Sequence, residues 1–191
     1  RYLQQALKKG LLLPETYVYT YGEKRKNVLE RMKKSMSEAL DEAWQSRQGD
    51  LPIETPEELL ILASMIEKET GISDERDEVS GVFINRLRKG MKLQSDPTVI
   101  YGASNYDGNI KKSHLKEDHP YNTYVHKGLP IGPICSPGKA SLLAAANPKE
   151  TEAFYFVADG KGGHVFAKTH REHLKNVENY LKIYREMVKN R

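Results

Sequence analysis

The chain has 191 residues, of which 38% are hydrophobic and 29% charged, a balance typical of a folded globular protein rather than a disordered one. Its net charge of +4 is mild. The densest basic cluster lies within residues 24–34 and is typical of a solvated helix face, so no nucleic-acid partner is expected without a wider patch and interleaved aromatic residues.

Membrane spans and disulfides are excluded within the chain itself. The longest apolar run, Leu59–Ile66, is too short to cross a bilayer. The sequence begins with Arg1 rather than Met, so we expect a processed or excised fragment whose targeting segment would lie upstream. The single Cys135 excludes an intrachain disulfide and a multi-cysteine zinc site.

The first 50 residues predict a helix before Gly10, a turn-rich stretch over Gly10–Gly22, and then a second helix. Apolar residues of that second helix recur at three- and four-residue steps, which indicates one buried face. They are Val28, Met32, Met36, Ala39, Leu40 and Ala43. A loop is expected over Gln48–Pro52.

The next helix has clear boundary signals. Thr55 can cap its start, Pro56 suits the first helical position, and Glu58 completes a capping box. An apolar run through residue 66 follows, and Gly71 offers an end.

A further helix is predicted from Ser73 to Gly90, with Val79, Val82, Phe83 and Leu87 on one face. Residues 91–138 are rich in Gly, Pro, Asn, Ser, Tyr and His and show little periodicity. So long an irregular stretch inside a compact domain is usually functional or disordered, and its aromatic content favours function.

The last third of the chain predicts a short helix over residues 137–146 and then a β-hairpin. Ala153–Ala158 is predicted as a buried strand, Asp159–Gly163 as the turn, and His164–Ala167 as the return strand. A closing helix follows, with apolar residues at helical spacing. They are Leu174, Val177, Leu181, Tyr184 and Val188. Helices dominate and strands are few, so the predicted fold class is α+β.

Two glutamates at the end of the apolar helix are candidates for an acid. Glu67 and Glu69 point about 200° apart because each helical residue turns the chain by about 100°. Glu69 lies over the more apolar stripe and closer to the helix C-terminus, and both conditions raise a carboxyl pKa. A general acid at neutral pH needs such a raised pKa, although a solvated helix end or an ion pair is the ordinary explanation for these residues.

Several long motifs in this order closely resemble the YceG-like family of endolytic murein transglycosylases. The resemblance covers the chain from about Leu59 to its C-terminus, and more weakly residues 13–17. The matching segments are Leu62–Thr70, Val82–Leu87, Leu93–Gly102, Tyr121–Tyr124, Gly128–Pro130, Ser136–Gly138 and Phe156–His164.

The resemblance implies a mainly helical, lysozyme-like catalytic core with a small β-hairpin. It implies a transglycosylase domain over residues 53–191, and residues 1–52 as a helical linking segment after a LysM-like region that lies outside the sequence. It further implies a single-pass anchor in the inner (cytoplasmic) membrane, with the catalytic domain on the periplasmic, or extracytoplasmic, side. Peptidoglycan glycan strands are the implied substrate, and peptidoglycan synthases the implied partners.

The implied reaction is cleavage of the β-1,4 bond between N-acetylmuramic acid and N-acetylglucosamine within glycan strands, which leaves 1,6-anhydro ends and terminates nascent strands. One glutamate suffices as acid and then base, because the muramic acid 6-hydroxyl attacks its own anomeric carbon. Glu69 is the preferred acid, since Thr70 follows it and two polar residues separate it from an apolar pair, as in lysozyme-like transglycosylases. Glu67 is the second choice.

Holding the sugar then falls to polar and aromatic side chains of the irregular stretch, together with Asn85 just before it. For each of them a structural hydrogen bond or a turn is the competing explanation. The candidate substrate-binding residues are Asn85, Gln94, Ser95, Asp96, Tyr101, Tyr121, Asn122, Thr123 and Tyr124. Tyr121-Asn122 resembles the Tyr-Asn element that lines the cleft of such enzymes.

Two other functions are compatible with parts of the sequence. Three histidines (His164, His170 and His173) lie close together, but they form no His-Glu-x-x-His pattern, so neither a metal nor another cofactor is expected. His164 is expected to bond locally or to line the cleft.

A non-catalytic peptidoglycan-binding or scaffold module would keep an aromatic groove without needing a buried acid. The glycine-rich residues 159–163 lack the spacing of a phosphate-binding loop and predict a hairpin turn.

Overall fold

The structure, a computed structural model, describes residues 10–189. The helix predicted before Gly10 lies outside these residues. Between residues 10 and 189 the elements are α1 (Arg25–Gln45), α2 (Pro56–Glu69), a 3₁₀ turn (Ser73–Glu75), α3 (Arg76–Arg88), α4 (Asp96–Gly102), a second 3₁₀ turn (His114–Lys116), α5 (Lys139–Ala146), β1 (Tyr155–Ala158), β2 (His164–Ala167) and α6 (His170–Lys189). The fold is α+β, as predicted.

Helix α2 is the centre of the core. The Thr55 side chain accepts a hydrogen bond from the Glu58 amide, as the predicted capping box requires. The Glu58 carboxylate accepts in return from the amide of Glu54, the residue before Thr55, rather than from that of Thr55 itself. All eight residues from Leu59 to Ile66 are buried, because α1, α3, α4 and α5 surround the helix. The helix ends where Thr70 takes an extended conformation.

Helix α1 packs against α2 and α5 through the face predicted from its spacing. Met36, Ala39 and Ala43 are buried and share one hydrophobic core with the apolar residues of α2. Most of its basic residues are exposed, and two of them, Lys26 and Lys34, pair with glutamates one turn further on. None of the helices in residues 10–189 is both long and apolar enough to cross a membrane.

The irregular stretch contains one helix that the sequence did not predict. Asp96-Pro97, which the sequence allows as a turn, begins the seven-residue helix α4, with Pro97 in its first turn. The helix is too short to show a periodic pattern, and its burial comes from Thr98 and Val99. Its contacts with α2 bring the preceding loop close to the end of that helix.

The hairpin is present, but its first strand is shorter and more exposed than predicted. Only Tyr155–Ala158 pairs with His164–Ala167, and every residue of β1 is half-buried rather than buried. Phe83 of α3 contacts Phe156 edge-on from one side, with ring centroids 6.0 Å apart. The faces of this two-stranded sheet are covered by helices, since both α3 and α6 contact β1.

Helix α6 packs on the hairpin rather than in the core. Of its described residues none is fully buried, although its spacing predicted an apolar inward face. Val177 is half-buried, while Leu174, Leu181, Tyr184 and Val188 are exposed. Contact with a two-stranded sheet covers only one narrow stripe of the helix.

Candidate active site

An open cleft of about 480 Å³ lies where the end of α2, helix α3, the loop before α4, the hairpin and the start of α6 meet. Its lining combines ionisable and apolar groups. The polar lining residues are Glu69, Arg86, Gln94, Asp96, Tyr124, Tyr155, His164, His170 and His173, and the apolar ones are Leu93, Phe156, Val157, Ala158 and Val177.

Glu69, the last residue of α2, is the carboxyl group at the base of this cleft. The open cleft leaves its side chain partly exposed, but protein surrounds the carboxyl on its other sides. Burial raises the pKa of Glu69 to about 7, and the negative charge of Asp96 adds to the rise. A hydrogen bond from Ser95 and the positive charge of Arg86 act in the opposite direction. The raised pKa expected from the apolar stripe is therefore present, with burial as its main cause.

Ser95 fixes the Glu69 carboxyl. Its hydroxyl donates to Glu69 Oε1 at 2.5 Å, and the serine is 2% exposed. The Ser95 amide donates to Thr123 Oγ1 at 3.0 Å, and Thr98 Oγ1 donates to the Ser95 carbonyl at 2.7 Å. Both threonines are buried and their hydroxyls lie 2.9 Å apart. This buried network holds Ser95 in one orientation beneath the acid.

Asp96 and Tyr124 form a second polar pair on the cleft wall. The Tyr124 hydroxyl donates to Asp96 Oδ1 at 2.6 Å. Burial, together with the neighbouring carboxylate of Asp96, raises the pKa of Tyr124, so the phenol remains a protonated donor. One carboxylate oxygen of Asp96 therefore accepts a hydrogen bond from the protein, although the residue lines the cleft.

Gln94 adopts an unusual backbone conformation at this wall. With φ at 50°, it is the one non-glycine residue in the left-handed region between residues 10 and 189. Its amide donates to the Thr123 carbonyl at 3.1 Å, which links the loop to the irregular stretch. Strained conformations of this kind cluster at functional sites, and Gln94 is itself part of the cleft lining.

Arg86 is a cleft residue that the sequence analysis did not single out. Its guanidinium donates to the carbonyl oxygens of Phe154 and Leu93, each at 2.6 Å, and lies 5.2 Å from the centre of the Tyr155 ring. It therefore joins α3, the loop before α4 and the hairpin. A signal existed: Arg86 continues the buried stripe of Val79, Val82 and Phe83, where a charged residue needs a partner.

Glu67 lies on the opposite side of α2, as the helical geometry predicted. Its Oε2 accepts hydrogen bonds from the Gly138 amide at 3.0 Å and from the Ser141 hydroxyl at 2.6 Å. These groups are at the start of α5, so Glu67 caps that helix. It is absent from the cleft lining.

The nine candidate substrate-binding residues separate into two groups. Gln94, Asp96 and Tyr124 line the cleft, and Ser95 contacts it through Glu69. The structure does not place the other five on the cleft wall, and they are Asn85, Tyr101, Tyr121, Asn122 and Thr123.

Those five residues build the scaffold around the cleft. The Asn85 NH₂ group donates to the Thr151 and Ala153 carbonyls, and that of the fully buried Asn122 donates to two backbone carbonyls, so both groups are engaged within the protein. Tyr101 and Tyr121 pack edge-on with ring centroids 4.7 Å apart, beside the core. The Tyr-Asn element therefore supports the wall rather than lining it.

The histidines near the C-terminus lie along the hairpin side of the cleft. His164 lines the cleft, and its ring bonds to Glu75, which is 89 residues away in sequence, rather than to a group near it in the chain. His173 stacks on Tyr155 with ring centroids 5.2 Å apart, and His170 lies beside them. Among residues 10–189 no three His, Cys, Asp or Glu side chains converge as a set of metal ligands.

Comparison with known proteins agrees with this architecture. An endolytic murein transglycosylase of Bacillus subtilis strain 168 is 36% identical over 174 residues, covering 91% of this chain and 48% of the relative. One of Streptococcus pneumoniae serotype 2 is 31% identical over 180 residues, covering 91% of this chain and 32% of the relative. The chain thus spans about half or less of these curated relatives.

A solved structure extends the match to three dimensions. The 2.6 Å crystal structure of a YceG-like protein from Listeria monocytogenes superimposes with a TM-score of 0.72 at 33% identity, and the match covers 91% of this chain and 58% of that chain. The model of the YceG-like family matches residues 2–179. A match over nearly the whole sequence, with relatives above 30% identity, establishes that the chain belongs to the YceG-like family.

Proposed function

We propose that this chain carries the catalytic site of an endolytic murein transglycosylase, with Glu69 as its acid and base. The observation that carries the proposal is a single carboxyl at the base of an open cleft with a pKa raised to about 7. At neutral pH such a group is protonated in a large fraction of molecules and still able to lose its proton. The relatives named endolytic murein transglycosylases support the choice of a murein substrate.

The proposed reaction needs one carboxyl group. Protonated Glu69 gives its proton to the glycosidic oxygen as the bond from the muramic acid anomeric carbon breaks, and the released sugar leaves as an alcohol. The muramic acid 6-hydroxyl then bonds to the anomeric carbon and passes its proton to Glu69, which restores the acid. The nucleophile belongs to the substrate, so the step gains from proximity.

The remaining cleft residues suit a sugar ligand. Tyr124, Gln94 and Tyr155 offer hydrogen-bonding groups beside aromatic surface, and Arg86 moderates the charge that forms on Glu69. Asp96 is the other carboxyl on the wall, and in a hydrolase it would serve as nucleophile or activate water. Its hydrogen bond from Tyr124 favours a positioning role instead.

The wider cellular role extends the same proposal. Cleavage within strands would terminate nascent glycan polymers beside the peptidoglycan synthases. A single-pass anchor in the cytoplasmic membrane, with the catalytic domain on its outer side, would hold the cleft where those strands emerge. Cleavage within strands follows the names of the relatives, whereas the anchor, the synthases and strand termination rest on the resemblance of the sequence motifs to the family.

The test is digestion of purified peptidoglycan by the parent protein and by Glu69→Gln and Glu67→Gln, with products identified by mass spectrometry. Parent protein is expected to give 1,6-anhydro ends. Glu69→Gln is expected to lose at least about 100-fold in rate, because general acid–base catalysis contributes 10²–10⁴-fold. Glu67→Gln is the matched control, since its amide oxygen can still cap α5 and it lies outside the cleft.

Other outcomes would redirect the assignment. Reducing ends in place of anhydro ends would identify a hydrolase and move attention to Asp96. Loss of activity in Glu67→Gln alone, with the fold intact by circular dichroism, would overturn the choice of Glu69. Binding of peptidoglycan without any product would favour a binding or scaffold module.

A further inference from the structure

A carboxylate–imidazole pair lies on the hairpin side of the cleft, and the reaction described above does not use it. Glu75 Oε2 is 2.8 Å from His164 Nδ1, and Glu75 Oε1 accepts the His164 backbone amide at 2.9 Å. Both side chains are well shielded, with 15% of His164 and 19% of Glu75 exposed. Two hydrogen bonds to one residue fix the orientation of the imidazole.

This arrangement determines which nitrogen of His164 carries the proton. Partial burial alone would raise the pKa of the Glu75 carboxyl, but hydrogen bonds from His164 and Thr70 hold it below its ordinary value. Glu75 is therefore ionised at neutral pH and can only accept hydrogen bonds. Nδ1 must donate, so a neutral His164 has an unprotonated Nε2 that acts as an acceptor.

The glycine-rich turn is shaped to allow this contact. A Cβ atom on Gly163 would lie 2.7 Å from Glu75 Oε1, so a larger residue would displace the carboxylate. Asp159 Oδ1 accepts the amides of Lys161 and Gly163, which closes the turn tightly before His164. The glycine-rich turn of residues 159–163, which resembles a phosphate-binding loop only in composition, thus helps to position Glu75 and His164.

The pair is also tied to the proposed acid. Thr70, the residue after Glu69, donates its hydroxyl to Glu75 Oε2 at 3.3 Å. His164 and Glu69 line the same cleft. Phe156 contacts the His164 ring edge-on at 5.3 Å, and within the described residues the hydrogen bond of the ring to Glu75 uses Nδ1 and leaves Nε2 available.

We propose that His164 is a second substrate-contacting residue, which accepts a hydrogen bond from a hydroxyl group of the bound glycan through Nε2, and that Glu75 is its positioning residue. The substrate class rests on the proposed function. An imidazole nitrogen beside aromatic carbon suits a sugar, whose hydroxyl can donate a hydrogen bond while the C–H bonds of its ring provide apolar surface.

The first experiment observes the imidazole nitrogens directly. Long-range ¹H–¹⁵N NMR on the Glu69→Gln protein, which prevents turnover, is expected to show His164 with Nδ1 protonated and Nε2 unprotonated. Addition of a tetrasaccharide purified from peptidoglycan is expected to shift the Nε2 resonance. Glu75→Gln is expected to reverse the tautomer, because its amide oxygen keeps the backbone bond and its NH₂ then faces Nδ1.

The second experiment separates binding from structure with two variants in the active protein. The His164→Asn amide can still reach Glu75 but provides nothing at the position of Nε2, so we expect KM to rise about threefold to tenfold, the value of one neutral hydrogen bond. His164→Gln places an amide oxygen near that position and is expected to recover much of the loss. Unfolding curves of both variants should match the parent.

The outcomes distinguish this inference from the proposed function. A bound tetrasaccharide that leaves Nε2 unshifted, or an unchanged KM in His164→Asn, would overturn the role of His164. Binding with the expected shift but without 1,6-anhydro products in the parent would overturn the proposed reaction alone. No binding of the tetrasaccharide would overturn both.

Discussion

The acid–base behaviour of Glu69 results from opposed contributions of its neighbours. Burial and the charge of Asp96 raise its pKa, while the Ser95 hydroxyl and Arg86 lower it. The protonated form is needed to begin the proposed reaction, so the rate should fall as pH rises through about 7. Removing the Ser95 hydroxyl or the Asp96 charge should therefore shift the pH at which the rate falls, in a direction that the sign of each contribution predicts.

Ser95→Ala and Asp96→Asn are expected to shift the alkaline limb of the pH–rate profile in opposite directions. Ser95→Ala removes a donor that stabilises the carboxylate, so the pKa of Glu69 rises and activity persists to higher pH. Asp96→Asn removes a negative charge, so the pKa falls and activity is lost at lower pH. Measurement of kcat/KM against pH would check both, and a common direction would contradict the assignment.

Glu69→Gln should stabilise the protein as pH rises. The pKa of Glu69 is about 7 when folded and about 4.5 ordinarily, so the unfolded chain ionises first and native stability falls between these values. Each pKa unit is worth about 1.4 kcal/mol, which makes the full effect on the order of 3 kcal/mol, and less because the side chain is partly exposed. Urea unfolding at about pH 4 should show little difference between the proteins, and at about pH 8 a more stable variant.

At the scale of elements, close backbone approaches explain residues that helix propensity would not select. Gly81 lies within α3, where glycine costs about 1 kcal/mol relative to alanine. A Cβ atom there would collide with the Lys149 carbonyl, whose residue also donates its amide to Asp77 O at 2.9 Å. The glycine lets the segment before the hairpin lie directly on the helix.

Gly81→Ala should destabilise the protein by about 1–3 kcal/mol despite the better helix propensity of alanine, because the backbone must move. Gly49→Ala is the control, since nothing lies within 4 Å of its added Cβ and its φ is not positive. Chemical unfolding of both variants would check the contrast. Equal stability of Gly81→Ala and the parent would show that the segment relaxes freely.

For the molecule as a whole, the core and the cleft depend on different parts of the chain. The hydrophobic core unites α1, α2, α3 and α5, whereas α6 contributes no fully buried residue. Yet α6 supplies His170, His173 and Val177 to the cleft. Stability is thus concentrated in the helical body, and one wall of the cleft depends on the contact of α6 with the hairpin.

Ile183→Ala and Met36→Ala should separate these roles. Ile183 packs over Gly160 in the hairpin turn, so its truncation should change global stability by less than about 1 kcal/mol but speed amide hydrogen exchange in α6. Met36 is 1% exposed in the core, and its loss should cost about 2–5 kcal/mol. Slow exchange in α6 of the Ile183 variant would show that the helix is held elsewhere.

Local patterns in the sequence were sufficient where the interactions are local. The capping box at Thr55, the buried face of α1, the hairpin turn and the opposite directions of Glu67 and Glu69 all follow from spacing within a few residues. The raised pKa of Glu69 could be predicted from its apolar stripe, because burial is its main cause. The resemblance to the family could also be recognised from sequence, because each matching motif is a short continuous segment.

Tertiary structure alone decided which polar residues line the cleft. Asn85, Asn122 and Thr123 have polar side chains of the kind that bind sugars. In the folded chain, however, the two asparagine amides donate to backbone carbonyls, and the Thr123 hydroxyl accepts a hydrogen bond from a backbone amide. Arg86 of α3 and Glu75 of the preceding 3₁₀ turn become site residues only because these elements meet the hairpin region across more than 60 residues of sequence. Spacing predicts what a helix can bury, while the partner of a polar group depends on segments that meet only in the folded chain.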